Sequence, residues 1–183
     1  DTPPYFMMGH TRPYYGARLD QAGYQKAKDM LAYVVEPDFP APKVMKRLLG
    51  KSKQSIRVRP LDNKRFDEEL ATLRDIFNDA WSDNWGFVPF TEAEFKDLGH
   101  TLKVLIASEL IQIAEVDGVP AAFIVALPNV NEVIKDFGGS LLPLNWAKLL
   151  WGLKVKFPKS SRVPLMGVRK SFHNTPLGPG LAF

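Results

Sequence analysis

The alternation of apolar and polar positions is most regular from Ile56 onward. Ile56-Arg57-Val58-Arg59 follows the two-residue period of a strand. Asp62 or Asn63 is placed to cap a helix whose apolar positions Phe66, Leu70, Leu73, Phe77 and Ala80 keep near-helical spacing. Ser82 to Phe90, SDNWGFVPF, interrupts that helix with an aromatic loop, and Thr91 with Glu94 forms a capping box opening a second helix through Phe95, Leu98, Leu102 and Leu105. Two apolar runs follow, Leu110 to Val116 and Val119 to Leu127. They flank Asp117-Gly118, the dipeptide that favours a type I′ turn, so a hairpin is expected. The run AAFIVAL has little polar alternation, which predicts a strand covered on both faces. Asn129 to Phe137 reads as a short helix closed by Gly138-Gly139. Leu144 to Val155 reads as an amphipathic helix whose Trp146, Leu149, Leu150, Trp151 and Leu153 are taken as core in preference to a lipid-binding surface, even beside Lys148, Lys154 and Lys156. Val163 to Val168 is the last strand.

Residues 1–36 form a separate unit. Pro13 suits a first helical turn, Tyr14, Ala17, Leu19 and Ala22 give a short apolar face, and Gly23 is the C-cap. Tyr24 to Glu36 then reads as a strand, strongest over Met30 to Val35. One helix and one strand cannot bury enough surface to fold alone, so this unit must dock on something. The Pro-rich, then polar and basic, stretch 37–55 is a linker with helical potential over Val44 to Leu49, and marks a domain boundary.

Composition narrows the classes. An apolar share of 45% and a charged share of 24% are those of a globular protein. The formal charge is +4, and the basic residues cluster in Lys43–Arg59 and Lys148–Lys170, which suits an anionic cofactor as well as a nucleic acid. Nucleic acid is the weaker match because aromatic residues do not interleave with the basic clusters. The chain contains no cysteine, which excludes thiolate chemistry and disulfides and fits a reducing, cytoplasmic setting. No 18-residue apolar run and no charged-then-apolar leader occur, so neither a membrane span nor a secretion signal is expected. A start at Asp1 without an initiator Met, and an end where a helix should begin, are what an internal piece of a longer polypeptide shows.

Arg162 to Phe183, RVPLMGVRKSFHNTPLGPGLAF, runs from strand through Arg169 and Lys170 and a polar turn into Gly178-Pro179-Gly180 and a helix start. A loop of this build presents backbone N–H groups to an anion. With the order strand, two helices, hairpin, strand, it resembles the Gcn5-related N-acetyltransferase (GNAT) superfamily. The resemblance implies an α/β fold with a mostly antiparallel central sheet flanked by helices, and acetyl-CoA or another acyl-CoA as cofactor. Met166, Gly167 and Val168 lie where the pantetheine arm runs in that superfamily, and Leu177, Gly178 and Gly180 where its pyrophosphate is held. Thr175 stands where Gln or Arg is usual, and Pro179 has no amide to donate. Residues 13–35 resemble the superfamily's closing helix and strand, with Gly23-Tyr24 as the matching pair. Together these imply a tandem: 1–36 ends one such domain and 56–183 begins another, completed by the rest of the polypeptide or by a partner copy. The run Asp79 to Pro89 is also similar to one in a bacterial family.

The implied activity is N-acyl transfer to a small-molecule amine by direct attack on the thioester, with a non-catalytic binding or scaffold module as the alternative. Leu19 occupies the place of the superfamily's usual tyrosine acid, so Tyr14 or Tyr15 is the nearest substitute. Glu115 is a possible general base, or an outward strand residue. His173, beside the glycine loop, has a suitable unperturbed pKa. Trp81, Trp85 and Phe87, with Phe90, can line a substrate pocket or plug the edge of the core. His10 and His100 lack companions for a metal site.

Overall fold

The computed structural model describes residues 4–36, 40, 43, 47, 55–175 and 177–181. Most of the expected linker 37–55, including the helical turn over Val44 to Leu49, lies outside the described residues, as does Pro176. Asp117 and Gly118 both take positive φ, 51° and 82°, as a type I′ turn requires. The hairpin they close joins β2 (Ile111–Val116) to β3 (Val119–Pro128). β1 (Ile56–Pro60) pairs with the outer side of β2, and β4 (Ser161–Val168) with the outer side of β3. The sheet is four-stranded and antiparallel in the order β1-β2-β3-β4, so the α/β fold expected from the sequence is present.

One face of the sheet is covered by α2 (Phe66–Trp81) and α3 (Glu92–Lys103). Asp62 caps the turn leading into α2, its carboxylate accepting from Lys64 N–H at 2.9 Å, and Thr91 and Glu94 form the expected capping box on α3. The helical spacing of Phe66, Leu70, Leu73 and Phe77 lays these side chains on Ile113, Phe123, Val125 and Leu127. The other face is only partly covered. Leu177 of α6 (Leu177–Leu181) packs on Ala114 and Ala122 there, but Ile124 and Ala126 stay half-buried. Burial of the AAFIVAL strand on both faces therefore holds only at the α6 end.

Two expected elements differ. α1 (Tyr14–Gln21) ends as predicted, with Gly23 at φ 85° and Tyr24 N–H donating to Leu19 O at 3.1 Å, yet it has no buried residue. The strand expected over Tyr24 to Glu36 does not form: these residues are irregular and exposed, Met30 at 91%. A strand is defined by its partner's hydrogen bonds, and among the described residues this segment faces none. After α4 (Val130–Ile134), the helix expected over Leu144 to Val155 appears as α5 (Asn145–Trp151) followed by a π-type turn, Gly152–Lys156. α5 buries none of its own residues; burial begins at Gly152 and Leu153. A Cβ on Gly152 would lie 2.5 Å from Val133 Cγ1, so the helix docks on α4 by its C-terminal end and leaves Trp146 and Trp151 outside.

Candidate functional site

β4 is an edge strand, and its outer side is where the sequence-predicted residues meet. Arg169 N–H donates to Ala121 O at 2.9 Å across the β3 side. Met166 and Val168 instead turn their backbone groups outward: Trp81 Nε1–H donates to Met166 O at 2.9 Å, and His173 Nε2 lies 2.8 Å from Val168 O. In an antiparallel strand a residue's N–H and C=O point to the same side, so the N–H groups of Met166 and Val168 are also aimed away from β3.

These groups border a cleft of about 260 Å³. Of the residues expected to bind a cofactor, Met166, Gly167, Val168 and Gly178 line it; Trp81, expected in a substrate pocket, and His173, expected in catalysis, line it too. Ala80, Phe172 and Thr175 complete the wall. Thr175 organises the turn: its hydroxyl donates to Phe172 O at 2.7 Å and accepts from Leu177 N–H at 3.3 Å. Gly167 has a packing role, since a Cβ there would meet Phe123 Cε1 at 2.9 Å and Ala80 Cβ at 3.4 Å. Its bare backbone lets the end of α2 close on β4 and brings the Trp81 indole within reach of Met166 O.

The other expected site residues lie elsewhere. Leu177 is buried against Ala114 and Ala122, and Gly180 sits within α6. Trp85 is 72% exposed, while Phe87 and Phe90 pack on the Phe77 ring at 5.7 and 5.5 Å, at the edge of the core. Asn78 pins that loop by donating to Phe90 O and accepting from Phe90 N–H, both at 2.9 Å. Tyr14 is exposed on α1 beside Tyr15. The Glu115 carboxylate accepts from Arg59 Nε at 2.6 Å, and the same guanidinium donates to Glu69 at 3.0 Å. With Glu69 2% exposed, this is a largely buried ionic triad, and the hydrogen bond to Glu69, against the opposing effect of burial, holds the Arg59 pKa above its ordinary value. Glu115 is therefore committed as an ion-pair partner. Lys170 is likewise engaged, through its N–H to Asp79 at 2.9 Å and its ammonium to Asp83 at 2.6 Å. Nothing in the sequence pairs Asp79 with a residue so far along the chain. Among the described residues no cluster of three or more His, Cys, Asp or Glu is arranged to hold a metal, and no helix is long and apolar enough to cross a membrane.

The chain is similar along its whole length to two longer bacterial proteins. It is 48% identical over 183 residues to Protein YghO of Escherichia coli, covering 100% of this chain and 47% of that one. It is 48% identical over 184 residues to the Bacterial ceramide synthase of Caulobacter vibrioides, covering 100% of this chain and 48% of that one. The chain thus spans about half the length of the curated relatives it matches. No family model matches. The crystal structure of an agmatine N-acetyltransferase mutant in its apo form superimposes with a TM-score of 0.39 at 17% identity, over 69% of this chain and 66% of that one, a likeness too slight to carry an argument.

Chemically, the cleft offers backbone donors and one imidazole. A carbonyl oxygen can only accept, so in the neutral imidazole the His173 Nε2 facing Val168 O is the protonated nitrogen and Nδ1 is the proton acceptor. An amide-bearing arm such as pantetheine fits as an acceptor for the outward N–H groups of Met166 and Val168. Its own N–H donors would find the two outward carbonyls already bonded to Trp81 and His173. Among the described residues no lysine or arginine lines the cleft, so a pyrophosphate at this end would depend on backbone amides near Gly178.

Proposed function

We propose that this chain is part of an N-acyltransferase that moves an acyl group from a coenzyme A thioester to an amine. The observation that carries the reading is the 48% identity, along the whole chain, to a protein named for ceramide synthesis. A ceramide is the amide of a long-chain amino alcohol, so a long-chain amine is the acceptor class to test first. The amine nitrogen attacks the thioester carbonyl, the C–N bond forms as the C–S bond breaks, and coenzyme A leaves as the thiol. In this reading His173 Nδ1 takes the proton from the attacking amine and passes it to the departing thiolate, and the N–H groups of Met166 and Val168 orient the thioester arm. The tandem arrangement belongs to the same proposal: residues 1–36 close one unit, 56–183 open a second, and 37–55 join them.

The test is incubation of the full-length protein with acyl-CoA thioesters and a detergent-dispersed long-chain amino alcohol, following free thiol and amide together. Amide in step with thiol is the expected result, with kcat lowered about 10²- to 10⁴-fold in His173→Ala. Thiol without amide, or no product at any acyl length, rejects the reading. One observation favours the non-catalytic alternative: the chain's own side chains cap the outward carbonyls of Met166 and Val168 on β4. Absence of acyl-CoA binding at millimolar concentration would decide for it.

A further inference from the structure

The segment after α4 displays an apolar surface that the described residues do not cover. Leu142, Leu144, Trp146, Trp151, Val155 and Phe157 are between 50% and 74% exposed. They are not on a loose loop. Asn145 Nδ2 donates to Ser140 O at 2.8 Å, the Ser140 hydroxyl to Leu142 O at 2.9 Å, and the Trp146 indole N–H to Pro143 O at 2.9 Å, while Gly152 and Leu153 anchor the far end on α4. With its N–H satisfied internally, the Trp146 ring presents its apolar body outward.

Within this segment the charged side chains have one sign. From Phe137 to Ser160 the sequence contains Lys148, Lys154, Lys156 and Lys159 and no acidic residue, and all four lysines are exposed. Of the two carboxylates just before it, Asp136 is exposed beside Lys135, while Glu132 is turned into the segment, accepting from Lys159 N–H at 2.8 Å and Ser160 N–H at 3.1 Å. We propose that this face docks on an anionic lipid bilayer, with the apolar side chains entering the acyl boundary and the lysines resting on the headgroups. Tryptophan ringed by lysine is the composition favoured at that boundary. A second copy is disfavoured as the occupant, because a two-fold contact would set the same lysines against themselves. This inference concerns where the protein sits and does not depend on the acyl-transfer reading.

The experiment is sedimentation of the full-length protein with vesicles of phosphatidylcholine alone and of phosphatidylcholine with phosphatidylglycerol in equal parts, at low and high salt. Binding to the anionic vesicles that weakens with salt is expected. Lys154→Gln with Lys156→Gln should weaken it about 25-fold, at about fivefold per lysine, and Leu142→Glu with Phe157→Glu should abolish it while circular dichroism stays unchanged. Without relying on a charged variant, brominated lipid should quench tryptophan emission, and Trp146→Phe with Trp151→Phe should remove most of that quenching. No sedimentation with any vesicle, binding indifferent to Leu142→Glu with Phe157→Glu, or quenching undiminished in the double phenylalanine variant overturns the proposal. So does a stable dimer in which Trp146 and Trp151 are shielded and lipid binding is absent.

Discussion

Gly167 shows how little room separates α2 from β4. Phe123 is fully buried, so its ring cannot swing away from a methyl group added at 2.9 Å. Gly167→Ala is expected to destabilise the fold by about 1–3 kcal/mol, the usual cost of overpacking, read as a lowered urea midpoint at unchanged slope. Arg59 is held by a different balance. Removing the guanidinium leaves Glu69 buried with its main counter-charge gone, so Arg59→Ala should cost roughly 3–5 kcal/mol. The combination Arg59→Met, Glu69→Leu, Glu115→Leu should restore most of that loss, because it removes the buried charge along with its partner. A triple variant no more stable than Arg59→Ala would show that the ionic geometry itself is needed.

At the scale of elements, the Ser160 end of the α4–α5 segment is fixed by Glu132. Burial pushes this carboxyl's pKa up, but hydrogen bonds from the Ser160 hydroxyl, the Lys159 and Ser160 amides and Asn129 outweigh it and hold the pKa below the ordinary glutamate value. The stability it contributes is therefore complete above the unfolded value of 4.5 and is lost as pH falls from there through the lowered folded value. Wild type should lose more stability than Glu132→Gln between about pH 6 and pH 3 by urea titration, and parallel losses would remove Glu132 from the account. The elements themselves were largely legible, because hairpin, capping box and helical spacing act over a few residues: Asp117-Gly118, Thr91 with Glu94, and Phe66 to Phe77 need no distant partner. The exposure of α5 was not legible. Trp146 and Trp151 read the same in the sequence whether they are packed in a core or exposed, and the packing of Gly152 on Val133 is what leaves them exposed. In the cleft, strand and glycine loop could be read from Met166 to Gly178, whereas the Trp81 bond to Met166 and the diversion of Glu115 to Arg59 join residues far apart in the chain and carry no local signal.

For the molecule as a whole, the segment around Met30, Tyr33 and Val34 is the largest departure from expectation: an apolar run without a neighbour among the described residues, in a chain about half as long as its curated relatives. In the full-length polypeptide of the proposed tandem, the amides of Met30 to Val35 should exchange with deuterium slowly, as a paired strand does. Exchange as fast as in an unfolded peptide would reject the tandem pairing. The bonds from Trp81 and His173 to the outer side of β4 acquire a further meaning beside such a run. An edge strand with open carbonyls recruits any extended apolar chain, and this molecule carries one of its own. By occupying Met166 O and Val168 O, the two side chains make β4 a poor template for the Met30–Val35 segment of a neighbouring copy. The caps thus bear on solubility as well as on the cleft: a protein stripped of both should form β-rich oligomers at concentrations where the wild type remains dispersed.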